Sequence, residues 1–245
     1  VVIARLMAAA LVAAPAFASA QGLGLFAGEG DAPIEIDAAE GIEWRRDEQL
    51  YVARGDAKAV RGDVTVEADV LIARYREAAD GGSEIHRLDA VGNVRIYSPN
   101  ERAVGDSGVY DVDEGVLVLT GRNLRFTTPT DVITAQESLE YWERRRAAVA
   151  RGNAVARRGA EVVSAETLQA FFSADADGGQ EVDRIEGFER VCVFNGRDVA
   201  RGQVGRYNRA TEFAELEGNV VLTSGESVLR GERAEIDFAT GVSRL

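Results

Sequence analysis

The feature that most constrains this chain is a spacing of aromatic residues and glycines that recurs along its length. An aromatic residue stands eleven positions before a glycine in four places, and a glycine stands twenty positions before the next aromatic residue in five. Together the two spacings define a repeat of 31 residues, present about six times. A period of this length is typical of stacked supersecondary units, each unable to bury its apolar face alone. The aromatic-to-glycine pairs are Trp44/Gly55, Tyr110/Gly121, Tyr141/Gly152 and Tyr207/Gly218.

Residues 110–121 show what one repeat contains. Tyr110 and Val112 alternate with acidic residues, which is the period of two expected for a half-buried strand. Gly115 tolerates positive φ and supplies a turn, and Gly121 ends the predicted hairpin. Because such alternation recurs over many short segments with turn signals between them, the chain is predicted to be all-β.

The first 32 residues are predicted to lie outside the fold. Arg5 precedes an apolar run over 6–14, and small residues ending at Ala18 and Ala20 form A-x-A cleavage sites. Residues 1–20 are therefore predicted to be a cleavable secretory signal peptide. The alternative is a membrane anchor, but the run is shorter than the roughly 20 apolar residues that span a bilayer. Residues 21–32 are predicted to be a linker, followed by a first strand over 33–37.

Local composition predicts two loops, the conformation of one further segment and the last strand. Residues 76–87 and 173–184 are polar and glycine-rich, which predicts loops. Residues 139–151 are predicted to be strand, with a helical turn over 143–146 as the alternative. The last strand is predicted over 227–238, and its edge is expected to meet the first strand of a like domain, giving head-to-tail contacts. The alternative is that residues 239–245 fold back over that edge.

The composition argues against several classes of function. The formal net charge of −13 is opposite to that of a nucleic-acid-binding surface. One cysteine, Cys192, allows no intramolecular disulfide, and the single histidine, His86, falls in a predicted loop. No Ser/His/Asp set, His-based metal site or phosphate loop can be assembled, so we expect no cofactor, no bound metal and no enzymatic activity. Calcium binding by turn acids and a glycosidase carboxylate pair remain as alternatives.

Four segments in order resemble the OstA-like family, which includes the lipopolysaccharide transport protein LptA. The resemblance covers about residues 33–150 well and continues more loosely over 151–245, so that 33–245 is predicted to be one domain. The segments are Pro33-Ile34-Glu35-Ile36, Gly55-Asp56-Ala57, Val66-Glu67-Ala68-Asp69 and Tyr110 to Gly121.

This resemblance implies an open, twisted antiparallel β-jellyroll with an apolar lumen. It also implies binding of lipopolysaccharide through its lipid A acyl chains in the periplasm. The implied partners are an inner-membrane LptC-like domain and an outer-membrane LptD-like domain, with the chain bridging the two membranes as a head-to-tail homo-oligomer. The residues predicted to face the lumen are Ile34, Ile36, Tyr75, Ile96, Tyr97, Tyr110, Val112, Leu124 and Phe126.

A second class of function stays open at this point. Inward apolar side chains are also what a closed β core requires, so the chain is alternatively a secreted scaffold or adhesin with a dry core. Such a protein would bind protein or glycan by its surface. Small inward residues such as Ala57, Ala59, Ala154 and Ala156 favour a roomy lumen over a packed core.

Overall fold

The computed structural model describes residues 34–77, 81–174, 180–237, 239–240 and 242–245. Within these ranges the chain forms seventeen strands and one short 3-10 helix over Glu143–Arg145, and none of the described helical structure is long and apolar enough to cross a membrane. The predicted all-β, antiparallel fold class is therefore confirmed. The strands are β1 (Glu35–Asp37), β2 (Ile42–Arg45), β3 (Leu50–Arg61), β4 (Val64–Glu77), β5 (Ser83–Tyr97), β6 (Arg102–Asp111), β7 (Val116–Thr120), β8 (Leu124–Thr127), β9 (Asp131–Ala135), β10 (Ser138–Trp142), β11 (Ala147–Arg158), β12 (Glu161–Ala174), β13 (Gln180–Phe194), β14 (Val199–Asn208), β15 (Phe213–Ser224), β16 (Ser227–Asp237) and β17 (Val242–Arg244).

Two compact units divide the described chain. The first unit contains residues 34–129 and 136–146, and the second unit contains 130–135 and 147–245. In the first unit β3 to β7 pair in chain order, β1 and β2 share the outer edge of β3, β8 pairs with β6, and β10 pairs with β7. In the second unit β9 pairs with β11, and β11 to β17 then pair in chain order. The prediction of a single domain over 33–245 treats these two units as one.

The second unit repeats the first at a constant distance of 97 residues. β3 begins at Leu50 and β11 at Ala147, and the starts and ends of β4, β5 and β6 shift by the same distance to those of β12, β13 and β14. The cross-strand partners shift with them, since Leu88 faces Tyr110 and Ile185 faces Tyr207. Each unit therefore corresponds to about three of the 31-residue repeats.

Four glycines of the repeat lie within long strands, where they form β-bulges, whereas Gly121 lies directly after β7. Gly55-Asp56, Gly92-Asn93, Gly152-Asn153 and Gly218-Asn219 each place two successive residues at positive φ, and the pairing register shifts at each. Glycine adopts this region without the steric cost of a Cβ. The bulges therefore interrupt the alternation of faces at regular intervals along the sheet.

An acidic or amide side chain from the neighbouring strand covers two of these glycines, Gly92 and Gly218. A Cβ on Gly92 would overlap the Asp69 carboxylate, with 2.8 Å to its Cγ. That carboxylate accepts hydrogen bonds from Asn93 Nδ2 at 2.9 and 3.1 Å. Gln203 covers Gly218 in the same way, at 2.9 Å from a built Cβ to its own Cβ. Asp69 and Gln203 each follow a small residue, Ala68 and Gly202, and each covers the bulge of the adjacent strand.

The structure corrects three local predictions. The two glycine-rich insertions are shorter than predicted: β4 continues to Glu77 and β5 begins at Ser83, with the same arrangement at Ala174 and Gln180. As a result, His86 lies in β5 and not in a loop.

Residues 139–151 also differ from the strand prediction, because the 3-10 helix at Glu143–Arg145 separates β10 from β11. Arg146 at φ 46° ends this helix, and β11 begins at the next residue, Ala147. The predicted helical turn within this segment is therefore present, between two strands.

Both chain ends fall partly outside the described residues. The predicted signal peptide, its cleavage residues Ala18 and Ala20, the linker and Pro33 lie outside them, as does Phe238 at the predicted end of the last strand. β17 pairs with Glu235–Asp237 of β16, and a Cβ on Gly231 would lie 2.9 Å from Leu245 Cγ. The C-terminal residues therefore fold back over part of the β16 edge, which was the alternative weighed above.

Replacing Gly92 with alanine should destabilise the protein by about 2–4 kcal/mol. The added methyl group combines the cost of a non-glycine residue at φ +79° with overlap against Asp69. Gly41→Ala is the matched control, because Gly41 has φ +96° but nothing within 4 Å of a built Cβ. Gly41→Ala should cost only about 1–2 kcal/mol. Urea unfolding of both variants measures the difference, and equal losses would contradict the role of Asp69.

The bulge of β13 predicts a stabilising substitution. Glu189 and Arg190 occupy the position of Gly92-Asn93 in the second unit, at φ 62° and 55°, without a glycine. Glu189→Gly should raise the free energy of unfolding by up to about 1 kcal/mol, because it removes a side chain from left-handed backbone. Glu186→Gly, in the same strand but without positive φ, should lower it. Chemical denaturation of both variants tests this, and a Glu189→Gly protein no more stable than wild type would show that the bulge is unstrained.

Candidate functional site

One face of the first unit is formed by three cross-strand rows of apolar side chains. The rows follow directly from the pairing register, since facing residues of successive strands point to the same side of a sheet. The first row is Trp44, Tyr51, Ala73, Leu88, Tyr110, Leu117 and Tyr141; the second is Ile42, Ala53, Leu71, Ala90, Gly108, Leu119 and Leu139; the third is Ile36, Ala59, Val66, Ile96, Ala103 and Phe126. We call these rows the inner face of the first unit.

The inner face is closely packed. A Cβ on Gly108 would meet Leu119 Cδ2 at 3.0 Å and Val94 Cγ1 at 3.5 Å, and one on Gly105 would meet Leu124 Cδ2 at 3.1 Å. Ala103 is 0% exposed and Ile96 is 2% exposed. Two glycines therefore bring leucine side chains onto the backbone of β6, and most of this face is closed to water.

The inner face opens at the short strand β2. Ile42 and Trp44 belong to its rows but are 47% and 49% exposed. The Trp44 ring stacks on Tyr51 with 5.7 Å between centroids, and Trp44 Nε1 donates to the Tyr75 hydroxyl at 2.9 Å. Tyr75 in turn lies 5.0 Å from the Tyr51 ring. This aromatic cluster is an accessible apolar surface continuous with the buried rows.

The second unit carries an equivalent inner face that is more accessible. Ala170, Ile185 and Tyr207 are half-buried, whereas their counterparts Ala73, Leu88 and Tyr110 are buried. Part of this face is therefore open to a ligand in the present structure. Its rows are Ala148, Ala170, Ile185, Tyr207, Ala214 and Ile236; Ala150, Leu168, Gly187, Gly205, Leu216 and Ala234; and Ile133, Ala156, Val163, Val193, Ala200, Leu222 and Leu229.

The opposite faces of the sheets carry charged pairs. In the first unit Asp89 lies 3.2 Å from Arg74 and 2.8 Å from Arg87. In the second unit Arg206 lies 3.0 Å from Glu217, and Arg233 pairs with Glu215. The alternation in the sequence therefore separates an apolar face from a charged one.

The structure brings six of the predicted lumen residues to one face. Ile36, Ile96 and Phe126 share the third row of the first unit, and Tyr110 belongs to the first row. Leu124 packs against Gly105 of β6 on this face, and Tyr75 belongs to the aromatic cluster. Whether these side chains contact lipid stays a prediction.

The other three predicted residues are placed differently. Tyr97 follows Ile96 directly in β5, so the two side chains point to opposite faces and only one of them can line a given lumen. The Tyr97 hydroxyl donates to Glu67 Oε1 at 2.6 Å, a hydrogen bond that raises the pKa of Tyr97. Val112 lies in the turn after β6, where its N–H donates to His86 O at 3.0 Å. Ile34 is half-buried, just before β1.

Sequence reasoning missed the inner face of the second unit. The 97-residue offset between Tyr110 and Tyr207 carries the signal, because every inner-face residue of β3 to β6 has its counterpart at that distance.

Within the described residues, no group of three or more His, Cys, Asp or Glu side chains lies close enough together to hold a metal ion.

A buried hydrogen bond closes the first row of the first unit. The Tyr110 hydroxyl donates to Glu143 Oε1 at 3.0 Å. Burial raises the pKa of Tyr110 and also raises the pKa of Glu143, whereas the hydrogen bond from Tyr110 acts to lower the pKa of Glu143. The N–H of Glu143 donates to Gly115 O at 2.9 Å, which ties the 3-10 helix to the turn between β6 and β7.

A family model described as "LptA/(LptD N-terminal domain) LPS transport protein" matches the chain twice, over residues 35–139 and 133–242. The two matches correspond closely to the two units. The chain belongs to this family. It therefore carries two consecutive copies of a lipopolysaccharide transport domain, and the predicted resemblance is confirmed.

Two individual proteins illustrate what the chain is similar to. An uncharacterized protein of Rhizobium meliloti (strain 1021) is 28% identical over 127 residues, which is 48% of this chain and 66% of that protein. The chain thus spans slightly less than two thirds of that relative. LptH of Pseudomonas aeruginosa, described as the LptA homologous periplasmic component of the lipopolysaccharide transport device, is similar over 49% of this chain and 83% of its own, with 18% identity and a TM-score of 0.42.

Tyr110→Phe should make the stability of this family member more sensitive to pH. When the pKa of a carboxyl group is higher in the folded than in the unfolded protein, the free energy of unfolding falls as the pH rises from the unfolded pKa through the folded pKa. Without the Tyr110 hydroxyl, the pKa of Glu143 should rise further, so the variant should lose more unfolding free energy than wild type between pH 4 and pH 8. Urea titrations at several pH values in this range measure the loss. Tyr51→Phe, in the same row, is the control, and equal pH dependence in all three proteins would contradict the coupling.

Proposed function

We propose that this protein binds lipopolysaccharide through the inner faces of its two units and carries it across the periplasm between the inner and outer membranes. Membership of the lipopolysaccharide transport family supports the transport role. The observation that carries the binding site is the pair of equivalent inner faces, each built from continuous apolar rows.

Acyl chains supply the physical reason for such a site. Burial of one methylene group contributes about 0.8 kcal/mol, so a chain of a dozen methylenes resists entering water by roughly 10 kcal/mol. A carrier in an aqueous compartment must therefore cover the chains with apolar side chains. The half-buried residues Ile185 and Tyr207 and the exposed Ile42 and Trp44 are the accessible starting points for that contact.

The proposed partners are an inner-membrane LptC-like domain and an outer-membrane LptD-like domain, both recognised by strand addition at sheet edges. β1 and β2 form one edge of the first unit, and Val228–Arg233 of β16 lies beyond the stretch that β17 covers. Strand addition at these edges also supports head-to-tail self-association. The proposed location is the periplasm, reached through a cleavable signal peptide.

A second candidate function is favoured by the closed packing of the first unit. Ala57, Ala103 and, in the second unit, Val220 are 0% exposed, as in a dry β core. On that basis the protein is a periplasmic scaffold that binds partners only by its surface. The two functions differ in one observable, because only the first requires lipid to contact the inner face.

A photo-crosslinker placed at Tyr207 should capture lipopolysaccharide at least tenfold more efficiently than one at Arg206. The two residues are neighbours in β14, and their side chains point to opposite faces, so only Tyr207 belongs to an inner-face row. Tyr110 and Asp111 form a second matched pair in the first unit. The measurement is immunoblotting of crosslinked protein from living cells.

Mass spectrometry of lipid extracted from the purified protein complements the crosslinking. Equal capture at Tyr207 and Arg206 would refute the inner-face assignment. Absence of capture at all four positions, together with lipid-free protein, would favour the scaffold.

A further inference from the structure

Two equivalent turns each bury a carboxylate that lacks a hydrogen-bond partner. Glu101 precedes β6 and is 4% exposed, and Asp198, 97 residues later, precedes β14 and is 0% exposed. Neither carboxylate oxygen of either residue has a hydrogen-bond partner in the described structure. An ionised carboxylate buried without a donor carries a large free-energy penalty. A positively charged or hydrogen-bond-donating group would therefore stabilise either carboxylate in its ionised form.

The backbone of both turns holds the acid in place. Ser98 N donates to Glu101 O at 3.0 Å, and Asn195 N donates to Asp198 O at 3.3 Å. In the second unit Asn195 Oδ1 also accepts from Asp198 N at 2.8 Å. These bonds use the main chain of the turns and leave the carboxylate oxygens without a donor.

The two turns differ in one charged residue. Arg197 stands beside Asp198, and its Nε lies 4.0 Å from Asp198 Oδ1. The equivalent residue in the first unit, 97 positions earlier, is Asn100, which has no charge. The turn of the second unit therefore carries an exposed guanidinium group at the 4.0 Å limit of an ion pair with its buried acid, and the turn of the first unit has no charged residue at that position.

The first turn has room for a group from outside. Glu101 lines a cleft of about 560 Å³ together with Arg95, Tyr97, Arg102 and Thr127–Pro129. Glu67, the other acid of the cleft, already accepts from the Tyr97 hydroxyl at 2.6 Å and lies 3.9 Å from Arg95. Glu101 is thus the carboxylate of the cleft that has no donor, and rotation of its side chain would present it to a ligand.

The arrangement fits an organic cation better than a divalent metal. Calcium takes six to eight oxygen ligands, and the cleft offers one unengaged carboxylate. A guanidinium or alkylammonium group needs only one carboxylate and brings its own N–H donors. Burial raises the pKa of Glu101 to about 7, and a bound cation would lower it again.

We propose that the turn Ser98–Glu101 of the first unit is a binding site for one guanidinium or alkylammonium group supplied from outside the chain. In the second unit Arg197 stands at the equivalent position, 81% exposed, and its Nε approaches Asp198 Oδ1 to 4.0 Å. The group comes from a lysine or arginine side chain of a protein or from the amine of a lipid headgroup. This site is separate from the inner faces and does not rest on the proposed lipid transport.

The test uses the full chain labelled with ¹³C at glutamate and aspartate carboxyl carbons, titrated with n-butylguanidinium at pH 8. Glu101→Gln and Asp198→Asn identify the two resonances. In wild type, the Glu101 resonance should shift in a saturable manner and the Asp198 resonance should not. Glu84→Gln, which removes an exposed acid paired with Arg76, is the control and should leave the titration unchanged.

Exchange of the differing residue gives the decisive comparison. Asn100→Arg should weaken binding at Glu101 at least tenfold, because the introduced guanidinium occupies the site. Arg197→Asn should give Asp198 a saturable response that wild type lacks. Both substituted side chains lie on exposed turn positions, and circular dichroism verifies that each variant is folded. Absence of a saturable Glu101 shift in wild type, or equal binding by Asn100→Arg, would overturn the proposal.

Two further titrations distinguish the source of the cation. One uses the peptide Gly-Gly-Arg-Gly-Gly, and the other uses phosphatidylcholine vesicles with and without phosphatidylethanolamine. A Glu101-dependent response to the peptide supports a protein side chain as the source, and a response to the phosphatidylethanolamine vesicles supports a lipid headgroup.

Discussion

The fold depends on the contact between a bulge glycine in one strand and an acidic or amide side chain in the next. At Gly92 the chain adopts positive φ, the Asp69 side chain fills the space that a Cβ would take, and Asn93 donates to the same carboxylate. Each bulge resets which residues of a long strand face inward. Without these contacts, a fifteen-residue strand such as β5 would keep one unbroken alternation along its whole length.

The bulges occur in both units, whose equivalent residues are 97 positions apart, so equivalent positions of the two units can be compared directly. The β13 bulge has the same backbone conformation at Glu189-Arg190 although neither residue is glycine, so the surrounding pairing maintains it. The turns before β6 and β14 retain a buried acid but differ at Asn100 and Arg197. The inner faces retain the same rows but differ in exposure at Tyr110 and Tyr207. In each comparison, the two units share the same backbone arrangement and differ in one feature.

The inner faces combine two properties that a lipid carrier must reconcile. Close packing, as of Leu119 against Gly108, stabilises an empty protein. Accessible apolar side chains, as at Trp44 and Ile185, would allow an acyl chain to make its first contacts with the inner face. In this arrangement the closed rows are held by dispersion and burial, both of which an acyl chain can replace with similar contacts. In the proposed function, a lipid would therefore compete with the protein's own side chains and not with water.

The sequence by itself determined that the chain is built from antiparallel strands with one apolar and one charged face. Local alternation fixes these properties, since side chains in a strand point alternately to the two sides. It also indicated the family, through segments that lie in β1, β3, β4 and the hairpin of β6 and β7.

The sequence did not fix which residues share a row, because pairing register is a long-range property and a slip of one residue moves a side chain to the other face. The register places Ile36, Ile96 and Phe126 in one row, whereas Tyr97, predicted to line the same lumen, follows Ile96 directly and points to the other face. The 97-residue offset and the two family matches already indicate two units, whereas the half-burial of Tyr207 was decided only by the tertiary structure, since it depends on contacts between residues far apart in the chain.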